Sequence, residues 1–170
     1  EAFWNYAVSV YGDKILRDKY LFDEFYETEF DKIKAVCGYH PAAAEIVHSL
    51  KEKGFRVALA TNPIFPARAT QWRIQWAGLQ PEDFELYTAY ENSSCSKPNP
   101  AYFHDICQRL QLDPARCLMI GNDDREDMHC ATAAGMDAYL VTDCRLIDKD
   151  NPWQGAMGSF SEMVEMLKSL

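Results

Sequence analysis

A loop rich in carboxylates follows a short apolar run at residues 117–120 and contains Asp123, Asp124, Glu126 and Asp127. Carboxylates this close together repel one another, which raises their pKa values unless a cation joins them. A hard divalent ion such as Mg²⁺ fits such a loop, because it binds one or two carboxylates and keeps other positions for phosphate and water. The alternative is a helix start, in which one acid caps the helix and others complement its dipole. Capping accounts for one or two of the four acids, so the pattern favours metal binding.

Two upstream segments supply a hydroxyl and an amine. Thr61 and Asn62 follow the strand-like residues 55–60, and the hydroxyl and backbone N–H groups of such a turn can hold phosphate oxygens. Lys97 lies in a polar loop, where its ammonium can offset the charge of a phosphate and of a nearby carboxylate. Each segment alone is also typical of an ordinary turn or of a solvated surface lysine. Together with the acidic loop, they predict a phosphoryl-transfer site.

The composition indicates a folded protein and disfavours several kinds of partner. The chain has 170 residues, of which 48% are apolar, enough for one domain with its own core. Its net charge of -9 argues against a nucleic-acid partner, which needs clustered Lys and Arg. No apolar run approaches the length of a bilayer span, no signal segment is visible, and the six cysteines lack metal-binding spacing. We therefore expect a cytoplasmic protein that contacts neither nucleic acid nor membrane.

The spacing of apolar residues predicts helices in the first third of the chain and alternating helices and strands after residue 41. Aromatic residues recur at helical spacing as far as Phe30, which usually marks a packing surface. The later alternation predicts an α/β fold with a parallel sheet flanked by helices. Ligands bind such sheets at the carboxyl ends of the strands, where Thr61 and Asp123 both fall. The predicted strands are residues 55–60, 86–89, 117–120 and 137–142; residues 160–167 are a terminal helix and residues 151–159 a loop.

The three segments, in this order, resemble the motifs of the haloacid-dehalogenase-like superfamily, which consists mostly of phosphatases. The resemblance covers about residues 41–170 and implies a Rossmann-like sheet with a small helical cap inserted after its first strand. The matching segments are Ala60-Thr61-Asn62, Ser96-Lys97-Pro98, Ile120 to Met128 and Gly135-Met136.

The resemblance also implies a role for each site residue. Thr61 and Asn62 would bind the transferring phosphoryl group, and Lys97 would steady that group together with the nucleophile. The acidic loop would hold Mg²⁺ and orient Lys97. Asn122 stands where the family often has Asp, so the expected metal ligands are Asp123 first and Asp127 second, with Asn122 contributing an amide oxygen.

One expected motif is not found in the chain. Family members begin with a strand that ends in Asp-x-Asp-x-Thr, whose first Asp attacks phosphorus, and here the only Asp-x-Asp is Asp148-Lys149-Asp150, with no apolar strand before it. We therefore expect a fragment that lacks its first core strand, with residues 1–38 as the helical cap segment and residues 39–170 as the core. The gap in the sheet would expose apolar surface.

The intact protein is thus predicted to be a Mg²⁺-dependent phosphomonoester hydrolase that forms an aspartyl-phosphate and acts on a small phosphorylated metabolite. As this fragment it is expected to be inactive. The alternative is a non-catalytic domain that binds metal and phosphate or serves regulation, and the sequence encoded upstream of Glu1 would discriminate the two. A dehalogenase is disfavoured because it needs no acidic metal loop, and a receiver domain because no acidic pair lies on an early strand.

Overall fold

The computed structural model describes residues 2–170, so Glu1, where the predicted first helix and cap segment begin, lies outside the described residues. The N-terminal part is helical, as its spacing predicts. Its elements are α1 (Ala2–Tyr11), α2 (Lys14–Arg17), α3 (Lys19–Glu24), a π-helical turn (Phe25–Glu29) and a 3-10 helix (Phe30–Val36).

The remainder alternates helices and strands, which confirms the α/β fold. Within residues 2–170, the helices are too short or too polar to cross a bilayer. The elements are α4 (Ala42–Glu52), β1 (Ala58–Leu59), α5 (Ala67–Trp76), a 3-10 turn (Pro81–Asp83), β2 (Leu86–Tyr87), α6 (Ala101–Leu110), a 3-10 turn (Pro114–Arg116), β3 (Leu118–Gly121), a π-helical turn (Asp124–His129), α7 (Cys130–Ala133), β4 (Asp137–Val141), β5 (Met157–Gly158) and α8 (Phe160–Lys168).

The strands form two parallel sheets. In the first, β1 pairs with β2, so that Ala58 lies opposite Leu86. In the second, β4 pairs with β3 on one side and with β5 on the other. Within the described residues, β1 and β3 do not pair with each other, although each has a free edge. The predicted parallel sheet is therefore interrupted between these two strands, where the expected first core strand would belong.

One helical layer packs against both sheets, and a second covers the other face of the three-stranded sheet. The layer formed by α6 and α7 packs against strand residues of both sheets, so the sheets share one core. The layer formed by α4 and α8 lies on the other face and packs against β3 and β4. The first layer buries Tyr102, Phe103, Ile106, Cys130, Ala131 and Ala134 over Ala60, Leu86, Met119 and Ala138, and the second buries Ile46, Met163, Val164 and Leu167 over Ile120, Tyr139 and Val141.

Phe30 anchors the N-terminal helical part to α5 in a separate aromatic cluster. Phe30 is 4% exposed and stacks on Trp76 of α5 with 5.5 Å between ring centroids. Phe65 also contacts Phe30, and the Trp76 indole N–H donates to Asp31 at 2.9 Å. The aromatic residues of α1–α3 behave differently, because side chains such as Tyr6 are exposed. The predicted packing surface is thus occupied mainly at its C-terminal end.

The strand and helix boundaries differ from the prediction in three places. The first predicted strand, residues 55–60, pairs only as β1. The helix expected from Glu126 begins as a π-helical turn at Asp124. The predicted loop at residues 151–159 contains β5, which backbone hydrogen bonds hold beside β4: Leu140 N–H donates to Ala156 and Thr142 N–H to Gly158. Backbone pairing of this kind leaves no pattern of apolar side chains for the sequence to show.

The Asp83 carboxylate connects α4 to the 3-10 turn before β2. It makes the free energy of unfolding depend on pH. The carboxylate accepts the Gln80 N–H at 2.8 Å and contacts Lys51 and His48. The Gln80 bond, together with those from Lys51 and His48, lowers the pKa of Asp83 to about 2. A pKa lowered on folding contributes stability above the unfolded value of about 3.9, and that contribution is lost as the pH falls towards the folded value.

We predict that Asp83→Asn lowers the free energy of unfolding by about 1 kcal/mol at pH 7, as expected for the loss of a capping carboxylate. The difference from the wild type should shrink below about pH 4 and vanish near pH 2. Urea unfolding at several pH values measures it. Glu82→Gln is the matched control, because the Glu82 side chain accepts no hydrogen bond within residues 2–170 and should show no such trend. A pH-independent difference would contradict the prediction.

Candidate active site

Two buried hydroxyl groups hold the backbone of the turn that follows β1. The Thr88 hydroxyl donates to the Thr61 carbonyl at 2.6 Å, and the Tyr102 hydroxyl donates to the same oxygen at 2.8 Å. Burial raises the pKa of Tyr102, so this phenol stays a donor at neutral pH. The Thr61 side-chain hydroxyl has no hydrogen-bond partner within residues 2–170. Thr61 therefore has a rigid backbone and an unengaged hydroxyl.

Lys97 connects the ends of the two sheets. Its side chain is 8% exposed, and its ammonium donates to the Ala60 carbonyl at 3.1 Å and to the Asp127 carboxylate at 2.5 Å. Ala60 follows β1 and Asp127 follows β3, so the two strand ends meet at one positive charge. An ammonium has three N–H donors, and the third has no partner among the described residues. That donor is available to an anionic ligand.

Asn62 links the lysine loop to the acidic loop. Its side-chain oxygen accepts the Lys97 backbone N–H at 2.9 Å, and its NH₂ group donates to Glu126 at 2.7 Å. The side-chain amide that the resemblance assigns to phosphate binding is therefore engaged within the protein. The three sequence segments do converge, because Asn62 is bonded to both Lys97 and Glu126.

Asp127 is the carboxylate that holds Lys97. One oxygen accepts the ammonium, and the other accepts the backbone N–H groups of Asn122 and Asp123 at 3.0 and 3.1 Å. Gly121 permits this approach, because a Cβ atom at that position would overlap the Asp127 side chain. Asp127 thus orients the lysine and the loop with both of its oxygens.

Asp123 and Asn122 occupy the rim of the same loop. Asp123 Oδ1 caps the following turn by accepting the N–H groups of Arg125 and Glu126 at 2.9 and 2.7 Å. Its Oδ2 accepts no hydrogen bond within residues 2–170. The Asn122 side chain donates to the Cys144 carbonyl at 2.6 Å. Asp123 Oδ2 is therefore the carboxylate oxygen of this group that remains open to a cation.

Asp124 has a partner that the sequence reasoning missed. Its carboxylate is fully buried and forms two bonds of 2.9 Å with the Arg145 guanidinium. The Arg145 bonds, supported by the backbone N–H groups of Trp153 and Asp148, lower the pKa of Asp124. Arg145 follows β4, the strand beside β3. A basic residue directly after the neighbouring strand was the feature of the sequence that could have indicated this partner.

The donor set fits a magnesium ion only in part. Among residues 2–170, no group of three or more His, Cys, Asp or Glu side chains is placed to hold a metal. One open carboxylate oxygen on Asp123 agrees with the way Mg²⁺ binds, through one or two carboxylates with water and phosphate in its other positions. Asn122 Oδ1 and Glu126 Oε1 are two further oxygens of the loop that accept no hydrogen bond within residues 2–170.

A polar groove of about 430 Å³ lies beside the lysine loop. Its lining carries hydroxyl, amide and thiol groups and no charged side chain. The lining residues are Pro63, Ser93, Ser94, Cys95, Ser96 and Asn99.

Comparison with known proteins agrees with this geometry. Residues 9–135 match the haloacid dehalogenase-like hydrolase family. The chain is 33% identical over 102 residues to a glyceraldehyde 3-phosphate phosphatase of Methanothermobacter thermautotrophicus, covering 59% of this chain and 43% of that protein. It is 28% identical over 122 residues to a phosphoglycolate phosphatase of Vibrio vulnificus, covering 72% and 50%. The chain spans about half the length of these relatives.

The fold comparison gives the same result. A putative beta-phosphoglucomutase from Thermotoga maritima superposes with a TM-score of 0.64 at 22% identity, covering 77% of this chain and 60% of that one. This likeness supports the Rossmann-like architecture.

We predict that Asp127→Ala destabilises the chain by about 3–5 kcal/mol, because it leaves a buried ammonium without its carboxylate. Urea unfolding measures the change. The control is Asp105→Ala, which removes an exposed ion pair with Arg109 and should cost about 1 kcal/mol or less. Equal losses in the two variants would contradict the assigned role of Asp127.

Proposed function

The chain belongs to the haloacid dehalogenase-like hydrolase family, and we propose that its site serves Mg²⁺-dependent hydrolysis of phosphomonoesters through an aspartyl-phosphate. The observation that carries the proposal is the Lys97 ammonium, which is held between the Ala60 carbonyl and Asp127 with one donor unused. A fixed positive charge at the carboxyl ends of the strands stabilises the negative charge of a transferring phosphoryl group.

Each residue around the lysine has a distinct part in the proposed reaction. Thr61 donates its unengaged hydroxyl to a phosphoryl oxygen, and Lys97 donates its third N–H to the same group. Asp127 keeps Lys97 charged and in place, while Asn62 fixes the Lys97 backbone and offers only its own backbone N–H to phosphate. These donors would hold the phosphoryl group in line with an attacking carboxylate.

Asp123 would hold the magnesium ion through Oδ2. When bound, the ion would supply positive charge against the phosphoryl oxygens. Asp127, also predicted as a ligand, has its two oxygens bonded to Lys97 and to backbone N–H groups. Asn122 donates to the Cys144 carbonyl through Nδ2, and its Oδ1 accepts no hydrogen bond within residues 2–170. We therefore propose Asp123 as the direct ligand with the Asn122 amide oxygen as a second one, and Asp127 as a residue that shapes the loop.

The nucleophile of the proposed reaction lies outside the 170 residues. We propose that an apolar strand ending in Asp-x-Asp occupies the interval between β1 and β3, where both strands have a free edge. A strand there would run to the level of Thr61 and Lys97, because ligands and catalytic groups meet at the carboxyl ends of parallel strands. The chain by itself would then bind phosphate without hydrolysing its esters.

The substrate proposed is a small phosphorylated metabolite, in keeping with the phosphatase names of the relatives. Residues 1–38 would form part of a cap and residues 39–170 the core. The boundary falls between the 3-10 helix that ends at Val36 and the start of α4 at Ala42.

A non-catalytic domain that binds metal and phosphate is the second candidate. The observation that favours it is that Thr61 and Lys97 keep donors free for phosphate, while no Asp-x-Asp-x-Thr is found in the 170 residues. The two candidates differ in whether an added nucleophile produces hydrolysis.

The enzyme proposal predicts that a synthetic peptide restores activity. The peptide carries about six apolar residues, as in an average strand, followed by Asp-x-Asp-x-Thr. We expect the mixture with Mg²⁺ to release phosphate from p-nitrophenyl phosphate. A peptide with the first Asp replaced by Asn should bind equally, as judged by calorimetry, and give no hydrolysis.

Lys97→Met is the variant control for this experiment and should abolish hydrolysis with the Asp peptide. If both peptides bind and neither supports hydrolysis, the non-catalytic candidate is favoured. Hydrolysis that survives Lys97→Met would contradict the role of the ammonium.

Magnesium binding gives a separate prediction for the chain alone. In the presence of inorganic phosphate, Asp123→Asn should weaken Mg²⁺ binding by at least about tenfold, the scale seen when a metal site loses a supporting group. Isothermal titration calorimetry measures it. Asp137→Asn, an exposed acid at the start of β4, should bind Mg²⁺ like the wild type, and an equal loss in both variants would exclude Asp123 as the ligand.

A further inference from the structure

Asp124 is a fully buried carboxylate that the proposed reaction does not use. It accepts four hydrogen bonds, and none of their donors belongs to Lys97, Thr61 or Asn62. Arg145 donates to both oxygens at 2.9 Å, and the backbone N–H groups of Asp148 and Trp153 donate to Oδ2 at 3.2 and 3.1 Å. All four donors lie in one segment, residues 144–153, which is connected to the acidic loop through this group.

The same segment is bonded to the backbone on either side of Asp123. The Asp124 N–H donates to the Leu146 carbonyl at 3.0 Å, and the Leu146 N–H donates to the Asn122 carbonyl at 2.8 Å. The Asn122 side chain donates to Cys144 at 2.6 Å. Asp123 is thus placed between two residues that are both held by residues 144–153.

The ion pair is the strongest of these connections. A bidentate arginine–carboxylate pair fixes direction as well as distance, because the two parallel bonds match the planar guanidinium. Between β4 and β5, the described residues contain no helix, and the segment has a single bridge with the acidic loop, at Leu146. Its position therefore depends on the backbone bonds at Leu146 and on side-chain contacts, and the fully buried Asp124 accepts four of the bonds from this segment.

We propose that Asp124 and Arg145 form a clamp that positions the acidic loop, so that the open oxygen of Asp123 stays in place for a cation. The clamp would act through residues 144–153 and would not touch the metal or the phosphate itself. Asp124 and Arg145 are therefore positioning residues for the proposed site, and the inference rests on the proposed function in this respect.

The test compares Asp124→Asn, Arg145→Met and Arg145→Lys by amide hydrogen exchange and by Mg²⁺ titration with inorganic phosphate. We expect Asp124→Asn and Arg145→Met to speed exchange at Asp124 and Leu146 by at least about tenfold and to weaken Mg²⁺ binding by about tenfold or more, the scale of a lost supporting group. Exchange in β4 and α8 should stay unchanged. Arg145→Lys keeps the charge but loses the fork, so it should restore part of both losses.

Two controls separate the clamp from general stabilisation. Glu85→Gln disrupts an exposed two-bond carboxylate pair with Arg56 beside the first sheet, and Asp148→Ala removes the side-chain oxygen that accepts the Asp150 and Asn151 N–H groups within the clamped segment. Neither should change Mg²⁺ binding. A merely structural pair would raise exchange throughout the second sheet and would not be rescued by Arg145→Lys.

The clamp is overturned if Asp124→Asn leaves exchange at Leu146 unchanged, or if exchange rises there while Mg²⁺ binding stays the same. If the wild type binds no Mg²⁺, the proposed function fails and the positioning role fails with it. The exchange data would then still show whether Asp124 holds residues 144–153. The two failures are therefore distinguishable.

Discussion

The site depends on one buried positive charge. The Lys97 ammonium lies between the carbonyl that ends β1 and the carboxylate that follows β3. Water is largely excluded, so the charge is tolerable only with its partners in place. Asp127 can reach it because Gly121 has no side chain in the way. The glycine, the acid and the lysine therefore form one unit, and the turn at Thr61 is aligned with that unit.

The carboxylates of the acidic loop repel one another less than the composition of the loop indicates. Each acid has its own partner: Asp127 has Lys97, Asp124 has Arg145, Glu126 has Asn62, and Asp123 has the N–H groups of the following turn. Two of the four carboxylates are paired with cations, and the other two accept hydrogen bonds from neutral donors. Asp123 Oδ2 and Glu126 Oε1 are the carboxylate oxygens of the loop that accept no hydrogen bond within residues 2–170.

The sequence predicted which residues come together, but not all of the contacts that their side chains make. The convergence of Thr61, Asn62, Lys97 and the acidic loop follows from the rule that parallel strands end at one edge. The partner of Asp124 was missed, because Arg145 reaches it only when β4 lies beside β3, and the spacing of apolar residues does not give the order of the strands. The spacing also could not show that the side-chain oxygen and nitrogen of Asn62 are both bonded within the protein, because these contacts form only when the three loops come together.

The exposed rings of α1–α3 have a consequence for the chain in solution. Tyr6 and Tyr11 are each 72% exposed, and Phe3 and Tyr20 are more than half exposed. At neutral pH the net charge of -9 makes copies of the chain repel one another. Near its isoelectric point, at about pH 4.9, that repulsion disappears, and sulfate would strengthen the attraction between apolar surfaces. The colloidal stability of this chain therefore depends on the balance between charge repulsion and attraction between the exposed aromatic side chains.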